Sequence, residues 1–275
     1  MSFYTSLSGL KAAQTDMSVI SNNVANAGSV GFKRSRAQFG DIFAASPNQS
    51  TKMIAGQGAR LNGITQQFTQ GSYEGSEKTL DMAIVGEGLF IVKGAPPTNA
   101  ISYSRNGAFS PLPDGRVVDT TGSTLQLLPV DANGNVTNRT LAGAFDLVVP
   151  EHAPGNPNAA LVNMSVGLDG LVSATFADGS GQKLGKVAMA TFPAMEGLRP
   201  VGDAHWQSTG DSGAPTIDSP GSGAMGAVRS GALERSNVDI TEELVMLMAA
   251  QRNFQANAKA IEGASSLTQT IIGMR

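Results

Sequence analysis

Gly221-Ser-Gly223-Ala-Met-Gly226 has the G-x-G-x-x-G spacing with which a glycine-rich loop cradles a dinucleotide pyrophosphate. That chemistry needs a strand before the loop and a helix opening at once after it. Here Pro215 and Pro220 precede the glycines and the next helix signal waits until Asp239, so the segment reads as a turn. Asp131, Asn133 and Asn135 imitate the first ligands of a calcium loop. The sixth position is Val136 rather than Gly and the twelfth is Ala142 rather than Glu, so a hairpin turn is the better reading. The two histidines, His152 and His205, have no cysteine to join them at a metal. One lies in a Pro-rich loop and the other beside Trp206, and both read as surface residues. No nucleophile elbow or carboxylate pair stands out, and no catalytic residue, metal or cofactor is assigned.

The composition points the same way. A chain of 275 residues holds one large domain or two moderate ones, but aromatics are 5% and charged residues 15%, with small residues filling the difference. That suits extended β structure with many turns and close lateral contacts. A net charge of −3 gives no basic field for nucleic acid. The basic cluster Lys33, Arg34, Arg36 reads either as a solvated stretch or as a surface facing acids on a neighbour. The absence of cysteine fits an oxidising, extracytoplasmic destination and fits chance equally. The start shows no cleavable signal pattern, and no stretch approaches the ~20 apolar residues of a membrane span.

The elements that position these residues are plainest at the two ends. Phe3, Leu7, Leu10, Met17 and Val24 share one 3-4 register, with Gln14 and Ser21 in its polar slots. Ile240, Leu244, Leu247, Gln251, Phe254, Ala258, Ile261, Ser265, Thr268 and Ile272 repeat it near the other end. A 3.5-residue repeat makes a narrow seam, which a helix buries against another helix. The pattern predicts a helix from Ser2 or Phe3 to about Ala27, stopped by Asn22, Asn23, Asn26 and Gly28. A second helix starts from an Asp239 cap, with Glu242 completing a capping box, and runs to about Ile272 with a weak point at Gly263. Glu242 and Glu243 suit the positive end of its dipole. Their lengths of roughly 36 and 50 Å call for packing partners. Leu7, Leu10, Met17, Val24, Leu244, Leu247, Phe254 and Ile261 are therefore assigned to assembly, with Met17, Met246 and Met248 as adaptable packing.

Between the helices the signals are β. Ile64–Thr69, Met82–Val85, Gly88–Val92 and Lys186–Phe192 read as strands. Pro113–Arg116, Asp131–Asn135 and Val166–Val172 carry hairpin chemistry. Ala44–Gly58 reads as a polar loop or arm, Pro150–Ala159 as a surface loop, and Thr209–Gly226 as an irregular return. The fold class is mixed α and β: discontinuous terminal helices paired as a coiled-coil-like shaft, with an all-β body between them. The expected divisions are 1–28 with 239–275, a connecting arm over 29–58, and a β-rich outer body over 59–238.

Several blocks now align with a known family. Asn22-Asn23-Val-Ala-Asn26 followed by Gly31-Phe32-Lys33-Arg34 resembles the N-terminal signature of bacterial flagellar axial proteins, the rod and hook subunits. Leu80-Asp81-Met-Ala-Ile84 with Gly88-Leu-Phe90, Tyr103–Phe109, Gly231–Val238 and Glu243–Phe254 are similar to family blocks in the family's order. The likeness covers the chain apart from about residues 125 to 165. It implies that the terminal helices pair as an innermost tube with the β body outside. It also implies export through the flagellum's own type III apparatus, without a cleaved signal, and polymerisation with no membrane insertion. Asn22, Asn23, Asn26, Gly31, Phe32, Lys33, Gln251, Arg252 and Asn253 are implied as motif or subunit-contact positions.

The start, Met1-Ser-Phe3 through Ala13, and Phe39-Gly-Asp41-Ile-Phe43 are most similar to hook subunits. Leu127 and Val166 are only about 40 residues apart, which leaves no room for the extra β domains typical of hooks and resembles a distal rod subunit. A short hook subunit is the first reading, a homopolymer in the extracellular hook meeting rod, hook-cap and hook–filament junction proteins. A rod subunit of the basal body is the second. A junction or cap protein, and a secreted enzyme cleaving carbohydrate or peptidoglycan, stand behind them.

Overall fold

The computed structural model describes residues 2–42, 56–154 and 156–274, so the expected arm over 44–58 lies outside the described residues except at 56–58. The terminal helices are α1 (Ser2–Ala25) and α2 (Ile240–Gly273). α1 stops at the asparagines: the Asn26 backbone N–H donates to the carbonyls of Asn22 and Asn23, and its side-chain amide donates to the Asn22 carbonyl. α2 opens at Asp239, whose carboxylate accepts from the backbone N–H groups of Thr241 and Glu242. It continues unbroken through Gly263, where the sequence suggests a weak point.

The chain divides into two compact units. The first comprises Met1–Ala27, Arg34–Gln67 and Val238–Arg275, and the second Gly28–Lys33 with Phe68–Asn237. In the first, α1 and α2 pack antiparallel beside a hairpin of β1 (Ser35–Asp41) and β2 (Ala59–Gln66). The second strand begins earlier than the apolar pattern Ile64–Thr69 suggests. Pairing with β1, from Asp41 against Ala59 to Ser35 against Gln66, sets its limits, with a bulge at Gln38 and Phe39.

The second unit is β structure. Among the described residues one sheet runs in the order 152–153, 156–166, 171–176, 181–187, 124–128, 89–93, 101–104, 205–207, 199–202, with further strands branching from it. The apolar run Leu89–Lys93 is a central strand. Leu89 and Ile91 enter one core with Tyr103, Ala190 and Trp206, while Phe90 and Val92 enter another with Phe109, Leu125 and Leu127. Alternating residues reach opposite faces, and both faces are covered, so the run needs no polar alternation.

Four expectations for the body change. The supposed loop Pro150–Ala159 contains a strand pair, His152–Ala153 with Asn156–Val166, in an irregular register. Lys186–Phe192 divides at Ala188, because Gly181–Val187 pairs with Thr124–Leu128 whereas Met189–Thr191 pairs with Leu89–Lys93 and Thr216–Asp218. That last strand lies within the segment expected to be irregular. His205 is not a surface residue: it is 4% exposed and sits 2.7 Å from the Asp119 carboxylate, a partner 86 positions away. The glycine-rich stretch is a turn, closed by the Gly221 N–H donating to the Gly226 carbonyl, and Asp131–Asn135 closes as a hairpin through the Asn135 N–H and the Asp131 carboxylate.

Candidate assembly surface

Asn23 is the hub of the first unit. It is buried near the end of α1, and its amide treats Ser35 as a strand would: Nδ2 donates to the Ser35 carbonyl at 2.8 Å and Oδ1 accepts from the Ser35 N–H at 2.9 Å. Nδ2 also lies 3.2 Å from Glu243 Oε2. The Glu243 carboxylate is buried in the first turn of α2, where Arg34 Nε meets Oε1 at 2.6 Å. The same guanidinium donates to Glu242 at 3.1 Å and lies against the Met246 sulfur. One asparagine and one arginine thus join α1, β1 and α2.

Lys33 occupies the second unit. Its ammonium is buried, 2.6 Å from Glu234 Oε1 and 2.8 Å from the Thr69 carbonyl. Arg105 donates to the other Glu234 oxygen at 2.9 Å, and the Gly71 N–H donates to Oε1. Burial pulls the Lys33 pKa down, the Glu234 charge and hydrogen bond work against that, and Arg105 adds to it. The Gly31 N–H donates to the Glu234 carbonyl. Gly31 stands at φ +70°, and a Cβ there would come within 2.5 Å of the Asn106 backbone nitrogen, so the motif needs glycine. The expectation that Lys33 and Arg34 are solvated or face a neighbour's acids is corrected: both meet acids of their own chain.

Two close approaches set the antiparallel register of the helix pair. Asn23 meets Glu243, and Gly9 lies against the Asn257 side chain, where a Cβ would stand 2.7 Å from Oδ1. Ser2 therefore falls opposite Ala264, and residues 265–273 of α2 run past the start of α1. Of the assigned seam residues, Leu7, Leu10, Met17 and Val24 are half-buried, as are Leu247, Phe254 and Ile261. The deepest positions on α1 are Ala13, Val19, Ile20 and Asn23, and on α2 Glu243 and Ala250. Reading apolar types alone misses Glu243, because a glutamate in a first turn already has a reason to be there. Its heptad spacing to Ala250 is the signal that could have found it.

Much of the remaining surface of α2 is exposed. Leu244 is 46% and Met248 50% exposed, on one stripe with Ile240, and Val245 lies beside them. Leu267 and Ile271 are 66% and 70% exposed on the overhang. Gln251, Arg252, Asn253 and Asn22 are exposed as well, Asn26 and Phe32 are half-buried, and Gly31 is buried. A cleft of about 290 Å³ lies between α1, β1 and α2, lined by Asp16, Ile20, Phe39, Met246 and Ala249 among others. Burial raises the Asp16 pKa there, with Arg36 pulling the other way. Among the described residues, no helix is long and apolar enough to cross a membrane.

Three family models match in chain order: a flagella basal body rod protein model over residues 3–33, a flagellar hook protein FlgE/F/G D1 domain over 83–174, and a flagellar basal body rod FlgEFG protein C-terminal model over 229–274. The flagellar basal-body rod protein FlgG of Bacillus subtilis is 32% identical over 289 residues, covering 100% of this chain and 98% of that one. The chain belongs to the flagellar hook and rod protein family. Other members align comparably: a flagellar basal-body rod protein FlgG of Buchnera aphidicola at 33% over 96% of this chain and 95% of its own. The flagellar hook protein FlgE of Salmonella typhimurium is 26% identical over 410 residues, taking in all of both chains. The matched ends contain α1 with the Gly31–Lys33 segment, and α2 with Glu234. As a member of this family the chain is a structural subunit of the flagellar axis.

Proposed function

We propose that this chain polymerises into the tubular hook of the flagellum and passes motor torque to the filament. The observation that carries the reading is the uncovered apolar surface of α2, with Leu244, Val245, Met248, Leu267 and Ile271 in water while the opposite stripe packs on α1. Contiguous exposed apolar surface marks a protein contact. Leu244 of the assigned seam and the exposed Asn22, Gln251, Arg252 and Asn253 supply the contacts between copies, while the half-buried seam residues pair α1 with α2. The cleft beside Ile20 and Phe39 takes a neighbour's side chain. Head-to-tail contacts that do not close give a helical polymer rather than a ring. The terminal helices form the inner domain and the β body the outer one. Rod, cap and junction proteins are the axial neighbours, and the chain reaches its site by type III export. The reading requires no catalytic step, nucleic acid or membrane insertion.

The hook assignment rests on the likeness of Met1–Ala13 and of the segment around Phe39–Asp41 to hook subunits. A rod subunit is the second reading, favoured by one observation: rod relatives from several bacteria match at 31–33% over 95–98% of their own length, so this chain has the rod proteins' size. Electron microscopy of isolated hook–basal bodies labelled with antibody against this chain tests both. Label along the curved extracellular segment supports the hook. Label confined to the straight shaft across the envelope assigns the rod, and absence from both overturns the axial reading.

A further inference from the structure

The strand pair Arg199–Gly202 and His205–Gln207 forms the edge of the main sheet, and its two-residue turn is made of Asp203 and Ala204. Both have positive φ, +51° and +57°, which is the backbone of a type I′ turn. That turn favours Asn-Gly, and an alanine in the left-handed region is disfavoured by its Cβ. Something must hold it. Ser104 Oγ donates to the Ala204 carbonyl at 2.9 Å, and His205 Nδ1 lies 2.8 Å from the Asp203 carbonyl. His205 Nε2 lies 2.7 Å from Asp119 Oδ2. The second Asp119 oxygen accepts from the backbone N–H groups of Thr121 and Ser123 and from the Thr121 hydroxyl.

The ring therefore faces two oxygen acceptors. A neutral imidazole donates from one nitrogen only, and its other lone pair would point at an oxygen; an imidazolium satisfies both. The charged groups facing it are Asp119, from the turn that begins at that residue, and Asp203, from its own turn; the neighbouring strand Ile101–Ser104 presents the Ser104 hydroxyl. We propose that His205 is a proton-dependent latch, which as imidazolium pins the strained edge turn to Asp119 and on deprotonation lets the edge hairpin loosen. The edge carries exposed Val201, so loosening uncovers unpaired backbone beside an apolar side chain. The direction of the ring's affinity agrees: burial opposes protonation, but the hydrogen bond and charge of Asp119 outweigh it and raise the pKa above 6.5.

The test is NMR of the full chain, dilute and monomeric, labelled with 15N-histidine, with His152→Gln to assign the ring. The latch predicts that both His205 nitrogens are protonated at neutral pH. It further predicts that amide protection in the hairpin, corrected for intrinsic exchange, is lost as pH rises through the His205 titration while protection of Leu89–Lys93 persists. In His205→Gln the hairpin should be less protected, and equally so at every pH. A neutral His205 ring at neutral pH, or hairpin protection that ignores its titration, overturns the proposal; both readings come from the wild-type ring and do not depend on the variant folding.

Discussion

Glu234 is one fully buried carboxylate that serves two buried cations, Lys33 and Arg105. Removing the shared anion leaves two like charges out of water, whereas removing one cation leaves a matched pair. Glu234→Gln should therefore destabilise the second unit by about 3–5 kcal/mol, and Lys33→Met by less. Urea unfolding followed through Trp206, the single tryptophan and part of that unit's core, measures both. The Asp119–His205 pair gives a pH dependence whose sign is fixed. The folded His205 pKa lies above 6.5, so its contribution is complete below pH 6.5 and fades as pH rises through the folded value. Burial raises the Asp119 carboxyl, but its His205, Thr121 and Ser123 donors pull it below 3.8 overall, so its contribution is complete above pH 3.8 and fades as pH falls through the folded value. The same unfolding experiment should show the pair's contribution greatest between those limits, and His205→Gln should flatten the alkaline side. Neither feature was legible in the sequence, because each pairs residues 86 to more than 200 positions apart.

At the scale of elements, the two helices, their cap at Asp239 and the central strand Leu89–Lys93 were all legible, because periodicity and capping are local. The division of each helix face between its own partner and a neighbour was not. Leu244 and Leu247 share one apolar register, yet Leu247 is half-buried in the α1–α2 packing and Leu244 is exposed. A heptad states that a face is apolar but does not state which molecule covers it. This separates two substitutions. Leu247→Asp or Phe254→Asp should loosen the helix pair and lower helical circular dichroism, whereas Leu244→Asp should leave the spectrum unchanged. Asn23→Ala should release β1, since it removes both bonds to Ser35 and one partner of the buried Glu243 carboxylate. Hydrogen exchange in β1 and β2 should rise while that of the sheet around Leu89–Lys93 stays unchanged. The strand pair inside Pro150–Ala159 was hidden because turn-forming residues dominate it; its backbone pairing, His152 with Ala160 and Ala153 with Asn156, fixes it as β.

For the whole molecule, magnitude decides how assembly must work. Fully burying one Leu, Val or Met side chain is worth ~1.5–3 kcal/mol, while association itself costs about 4–15 kcal/mol. The few exposed side chains of α2 thus give only a modest surplus at one contact, and stability must come from several such contacts per subunit in a polymer. The exposed stripe should consequently be essential to assembly and dispensable for folding. The most direct measurement is electron microscopy of axial structures isolated from cells whose only copy of this chain carries Leu244→Asp with Met248→Asp, beside circular dichroism of the purified variant. The account predicts a natively folded variant that enters no hook or rod. A natively folded variant that builds normal axial structures would contradict it.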